Sequence, residues 1–239
     1  DAEMVIILEW FLYFVIYSLI GYLFEVIYCS LRNKKLTNRG FLRSPFCPLY
    51  GFGAVFVLLL VNPFIDNVIL VLILGIVITS TVEYIAGYIM DKVFNMKWWD
   101  YSSYKFNIHG RVCLLNSLMF GALVILLVYF VHPFVAGLIS SLSFPVLLAL
   151  FLVMGVILLT DTIISTKETL LLKKYTKIYI VDKTSSEIRE DKKVNRFERM
   201  LVYFFAKYPR LEFRFKGLEG KYSIKKVKEY FKKKFKINN

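Results

Sequence analysis

The chain has 239 residues, 57% of them apolar, a mean hydropathy of +0.57 and a formal net charge of +13 at neutral pH. That apolar content exceeds what an ordinary soluble core holds, so a water-soluble enzyme is excluded and the sequence reads as a polytopic membrane protein. Three cysteines without CxxC or HExxH spacing argue against a disulfide framework and against a metal centre, and no cofactor is expected.

About 20 helical residues cross a hydrocarbon core of about 30 Å. Apolar runs of that kind fall at 4–28, 49–65, 68–90, 113–131 and 144–164, which predicts an all-α, polytopic helix bundle with about five transmembrane helices. The first run is too long, and too closely followed by basic residues at its far end, for a cleaved signal and is expected to be a permanent helix.

Lys and Arg in short loops are retained on the cytoplasmic side. Arg32, Lys34, Lys35, Arg39 and Arg43 follow the first span, and Lys92, Lys97, Lys105 and Arg111 follow the third. The links at 62–67 and 132–143 carry neither residue type, so the N-terminus is expected outside and the C-terminus inside.

Two polar stretches, 38–53 and 98–117, interrupt this apolar pattern with Arg, Asn, Pro, Gly, Cys and aromatic residues. Lipid offers no hydrogen bonds, so irregular backbone there must be shielded by protein or line a wet cavity. An offset of 66 superposes Gly21, Tyr22, Glu25 and Cys47 on Gly87, Tyr88, Asp91 and Cys113, with Asn38 near Asn107 and Arg43 near Arg111. A parallel internal repeat is the candidate explanation, with units 4–65 and 68–131 followed by a helix at 144–164. The two polar loops would then build one cytoplasm-facing polar cavity. Pro45, Pro48, Gly51, Gly53 and Pro63 in or near the second span suit a broken helix at such a site.

Charges at a helix centre cost roughly 2.5–3.5 kcal/mol on insertion scales and therefore turn toward the bundle interior. Glu9, Glu25, Glu83, Asp91, Arg111 and Asp161 lie within or beside the spans. Glu83 is the leading candidate, about two turns inside the cytoplasmic end of the third span and preceded by Thr79, Ser80 and Thr81. It shares a helical face with Gly87, and Asp91 follows one turn on. The competing reading pairs Glu83 with Arg111 or Arg39 to hold helices in register.

The cavity candidates are Glu25, Asn38, Arg39, Glu83, Asp91, Asp100, Asn107, Arg111 and Asn116, with Arg111 suited to clamp a carboxylate or phosphate. Trp98, Trp99 and Tyr101 read either as an interfacial anchor or, with Asp100, as the cavity floor. Cys47 and Cys113 read as small buried hydrophobes.

Residues 165–239 form a basic tail with 22 of the 31 Lys and Arg and 9 of the 18 Asp and Glu, so the whole charge excess lies beyond the 1–164 membrane domain. Apolar spacing predicts an amphipathic helix from a capping box at Thr184 and Glu187 to Pro209, and a second from Ser223. Such helices lie on anionic headgroups at about 1 kcal/mol per nearby Lys or Arg. Nucleic acid is not the expected partner.

Gly21-Tyr22-x-x-Glu25, Asn38-Arg39-Gly40-Phe41-Leu42-x-x-Pro45-x-Cys47-Pro48-Leu49-Tyr50-Gly51 and Trp98-Trp99-Asp100-Tyr101-Ser102 with Asn107-x-x-Gly110-Arg111-Val112-Cys113 together resemble the CmpB-type ABC transporter permeases of Gram-positive and anaerobic bacteria. The resemblance covers about 21–121, with Ser44 where the family has Gly and Phe120 where it has Trp. It implies a multi-pass permease subunit in the bacterial cytoplasmic (inner) membrane and carries no catalytic residue. Gly217 to Lys221 is too short for a P-loop, so ATP hydrolysis is expected from a separate subunit, and five spans suggest a homodimer or hetero-oligomer. Two other readings stay open: a membrane-embedded enzyme acting on a lipid-linked or anionic substrate, and a scaffold or sensor recruiting partners through its tail.

Overall fold

The computed structural model describes residues 2–34, 40–182, 212–213 and 222–223. It is mostly helical. Among the described residues, four helices are long and apolar enough to cross a membrane, within Ala2–Leu31, Val68–Phe94, Leu114–Ser140 and Phe144–Leu171. A further apolar helix, Pro48–Phe64, is shorter, at 17 residues.

Helix α1 (Ala2–Asn33) packs on α2 (Pro48–Val61, ending in a 3-10 turn at Asn62–Phe64), and α2 packs on α3 (Val68–Phe94). Pro48 starts α2, where its missing N–H costs nothing, after Cys47 in an extended conformation. Asn67 caps α3 by accepting from the Leu70 amide at 3.0 Å, and Asn95 ends that helix in the left-handed region at φ 55°.

Helix α4 (Leu114–Leu126) packs on α3 and continues through a π turn at Leu127–Val131 into α5 (His132–Ser140). The sequence pattern ended this span at 131 and read 132–143 as a link. The His132 amide instead donates to the Leu127 carbonyl, the wider π spacing, and Pro133 falls in the first turn of α5, where it breaks nothing.

Helix α6 (Phe144–Asp182) also outruns its expected end at Ile164. No Gly or Pro interrupts it after Gly155, so the first part of the basic tail is one continuous helix with the last span. The outer faces are apolar, with Ile7, Ile69, Phe130, Phe134, Val156 and Leu159 exposed, as suits helices that face hydrocarbon. The main core joins Leu12 and Tyr17 of α1, Val57 of α2, Val71 of α3, Val124 of α4, Ile139 of α5 and Leu147 of α6.

Three short strands cluster after α3: β1 (Met96–Lys97), then β2 (Asn107–Ile108) and β3 (Val112–Cys113), which pair antiparallel. From the tail, β4 (Glu212–Phe213) pairs with β1, and β5 (Tyr222–Ser223) pairs with β4, so tail backbone docks on the loop that follows α3. The helix expected at 184–208 and the one expected after Ser223 lie outside the described residues. Ser223 itself closes β5.

Candidate functional site

Both polar loops are tied down by charged side chains. On α6, Asp161 accepts from the backbone amides of Arg43 (3.1 Å) and Ser44 (2.8 Å), from the Ser44 hydroxyl and from Ser165 at 3.2 Å. One turn or two further on, Glu168 pairs with the Arg43 guanidinium. A buried carboxylate that receives this many donors is well compensated for leaving water. Lys173, also on α6, donates to the Val93 carbonyl at 2.8 Å in the last turn of α3.

The second loop folds on itself. Asp100 accepts from the Ser102 amide (3.0 Å) and hydroxyl and meets the buried Lys97 ammonium at 3.3 Å. Partial burial works to raise the Asp100 pKa, but the Ser102 donors and Lys97 outweigh it and hold the carboxyl below its usual value. Asn107 bridges the loop, accepting from the Gly110 amide at 3.0 Å and donating to the Tyr104 carbonyl at 2.8 Å. Gly110 sits at φ +68°, and a Cβ there would strike Asp100 and Ser102.

The two loops meet. Phe41 of the first packs against Trp98 of the second at 5.6 Å between ring centroids and against Phe94 at 5.7 Å. The two halves of the 66-residue offset also take matching places: Cys47 and Cys113 are the extended residues before α2 and α4. Gly21 and Gly87 each admit a bulky neighbour. A Cβ on Gly21 would collide with Tyr50, and one on Gly87 would lie 3.2 Å from the Trp99 ring and 3.4 Å from Arg111.

Arg111 donates to Asp91 at 2.9 Å, and its guanidinium lies 5.4 Å from the ring centres of both Tyr84 and Tyr88. Trp99 fixes the backbone beneath it by donating to the Arg111 carbonyl at 2.8 Å. Of the competing reading that paired Glu83 with Arg111 or Arg39, the Arg111 pairing is therefore not what the structure shows, and Arg39 lies outside the described residues.

Glu83 lies deep between α3 and α4, 5% exposed. Its Oε1 accepts from the Tyr101 hydroxyl at 3.1 Å and from the Asn116 amide at 3.0 Å, while its buried Oε2 has no hydrogen-bond partner among the described residues. Burial, then Glu83, then Glu25 drive the Tyr101 phenol well above its ordinary pKa. Glu25 accepts from the Tyr50 hydroxyl at 2.8 Å and from the Cys29 thiol at 3.6 Å. A cavity of about 230 Å³ opens beside this cluster, walled by α1, α2, α3, α4 and the π turn, with Glu83 and Tyr50 among its lining residues.

Of the nine expected cavity residues, Glu83 lines this space, Asn116 holds Glu83, and Glu25 reaches it through Tyr50. Asp91 and Arg111 neutralise each other, and Asp100 and Asn107 build the second loop. Asn38 and Arg39 lie outside the described residues. Sequence reasoning did not select Tyr50 or Tyr101 as carboxylate donors, nor Asp161 and Glu168 as the anchors of the first loop. Their signal was weak: a Tyr beside a helix start, and acids on an otherwise apolar or basic helix.

Such a bundle, apolar outside and carrying a buried carboxylate beside a cavity, defines a multi-pass membrane protein. The family described as Putative ABC-transporter type IV, of the CmpB type, matches residues 12–166, more than half of the chain, and the chain belongs to it. The match extends past the 21–121 stretch that carried the resemblance. Neither a curated protein nor a solved structure matches the chain. Family and apolar helices together fit a membrane transporter.

Proposed function

We propose that the chain is the permease subunit of a transporter and that the cavity beside Glu83 is its substrate site. One observation carries this: a carboxylate inside an apolar bundle, with one oxygen held by Tyr101 and Asn116 and the other lacking a donor among the described residues, at the wall of a 230 Å³ cavity. Buried ionisable groups in membrane bundles mark pathways because their insertion cost is retained only where function needs them.

In this reading the basic loops and tail face the cytoplasm of a bacterial cell, and the tail lies on anionic headgroups. ATP is hydrolysed by a separate subunit, a reading that the transporter family supports. A second copy of the chain completes the path. The joined loops, with tail strand β4 docked on β1, offer that ATPase a built surface.

The test is purification from the native membrane with co-purifying proteins identified by native mass spectrometry, followed by ATPase assays on the complex. A stoichiometric partner carrying a nucleotide-binding motif, whose hydrolysis is uncoupled by Glu83→Gln while the complex stays assembled, is the expected result. A chain that isolates alone, or a complex indifferent to Glu83→Gln, overturns the proposal.

A further inference from the structure

The transport reading leaves open what the cavity holds, and its chemistry narrows the choice. The walls are hydrocarbon: Ile20, Phe24, Leu49, Val57, Leu123 and Val131 surround the space, and Glu83 is the charged residue among those that line it. Ile20 and Phe24, with Leu126, stand exposed at the rim, so the cavity opens onto the apolar flank that faces hydrocarbon. A ligand entering there comes from the bilayer.

Oε1 of Glu83 is satisfied by two neutral donors, whereas Oε2 is buried with no donor among the described residues. Among the described residues, the cations of the second loop are committed elsewhere, Arg111 to Asp91 and Lys97 to Asp100. An uncompensated carboxylate against apolar walls is costly unless it takes up a proton or a donor carrying positive charge joins it, and a protonated amine supplies both.

We propose that the cavity binds a membrane-partitioning primary amine, with an alkyl or aryl body against the apolar walls and a protonated nitrogen donating to the Glu83 carboxylate, whose buried Oε2 turns toward the ligand on binding. A carboxylate or phosphate ligand is repelled at this wall, and a neutral alcohol supplies a donor but no charge. The inference rests on the reading of the cavity as a substrate site and adds the substrate class.

The experiment measures equilibrium binding of radiolabelled n-octylammonium to the full chain in nanodiscs, with empty nanodiscs as the blank and n-octanol and n-octanoate as competitors. Saturable binding is expected, displaced by unlabelled n-octylammonium at concentrations where n-octanol and n-octanoate do nothing. Glu83→Gln keeps the acceptor for Tyr101 and Asn116 but removes the charge, and weakens binding at least about tenfold. Ala54→Phe fills the cavity at a wall position and abolishes binding.

Displacement by n-octanol as effective as by n-octylammonium overturns the proposal on the wild-type chain alone, whatever the variants do. Undiminished binding by folded Glu83→Gln overturns it as well. Charge-selective binding without translocation in proteoliposomes holding the ATPase complex refutes transport and leaves the ligand assignment standing. ATP-driven translocation of other solutes by a protein that ignores n-octylammonium does the reverse.

Discussion

Arg111 donates to Asp91 at 2.9 Å and leaves Glu83, eight residues earlier on the same helix, to the neutral donors Tyr101 and Asn116. Eight residues are just over two turns, about 12 Å along α3, so one guanidinium cannot serve both carboxylates. The rings of Tyr84 and Tyr88 and the Trp99 hydrogen bond to its backbone hold Arg111 at the Asp91 end.

Removing one partner of that pair strands the other. With side chains 16% and 19% exposed, Arg111→Ala should cost about 2 kcal/mol, most of it from the Asp91 carboxylate left half-buried and from the lost ring contacts. Reversible unfolding in mixed micelles, followed by circular dichroism across Arg111→Ala, Asp91→Asn and the double variant, should give a coupling of about 1 kcal/mol or more. Strict additivity would mean the ion pair contributes nothing.

Tyr101 gives a pH signature. Its phenol is held protonated in the folded chain above its ordinary value of 10.0 by burial and by Glu83. The folded state therefore binds more protons than the unfolded one above pH 10, and stability falls as pH rises from there. Thermal unfolding of the wild type should lose more between pH 9.5 and 11.5 than that of Tyr101→Phe. Parallel curves for the two proteins would contradict the buried Tyr101–Glu83 contact.

Asp161 anchors the first loop through backbone amides, which hydrogen exchange reads directly. Asp161→Asn keeps the shape but halves the acceptors, and the amides of Arg43 and Ser44 should then exchange at least about tenfold faster, while those within α3 keep their protection. Unchanged rates at Arg43 and Ser44 would show that other contacts hold the loop.

Local chemistry was legible in advance. Apolar length predicted the long helices and the depth of Glu83 in its span predicted burial, whereas Pro48, read as part of a broken helix, instead starts a helix that runs unbroken to Val61. Helix ends were less legible where the chain tolerates a breaker: Pro133 reads as a stop until a π turn absorbs it, and α6 runs 18 residues past its apolar segment. The contacts of Asp161 with Arg43 and Ser44 span more than a hundred residues, and no periodicity encodes them.

By itself the sequence determined that this is a helical membrane protein of the CmpB type, with two polar loops and a carboxylate too deep in its helix to reach the surface. These follow from hydropathy, spacing and motif, which are local properties of the chain. Only the tertiary structure decided which charges pair, that the two loops meet at Phe41 and Trp98, and that the cavity wall at Glu83 is hydrocarbon rather than polar. Helices that are apolar on every side carry no amphipathic signal for which face turns inward, so side-chain partners are set when the helices pack.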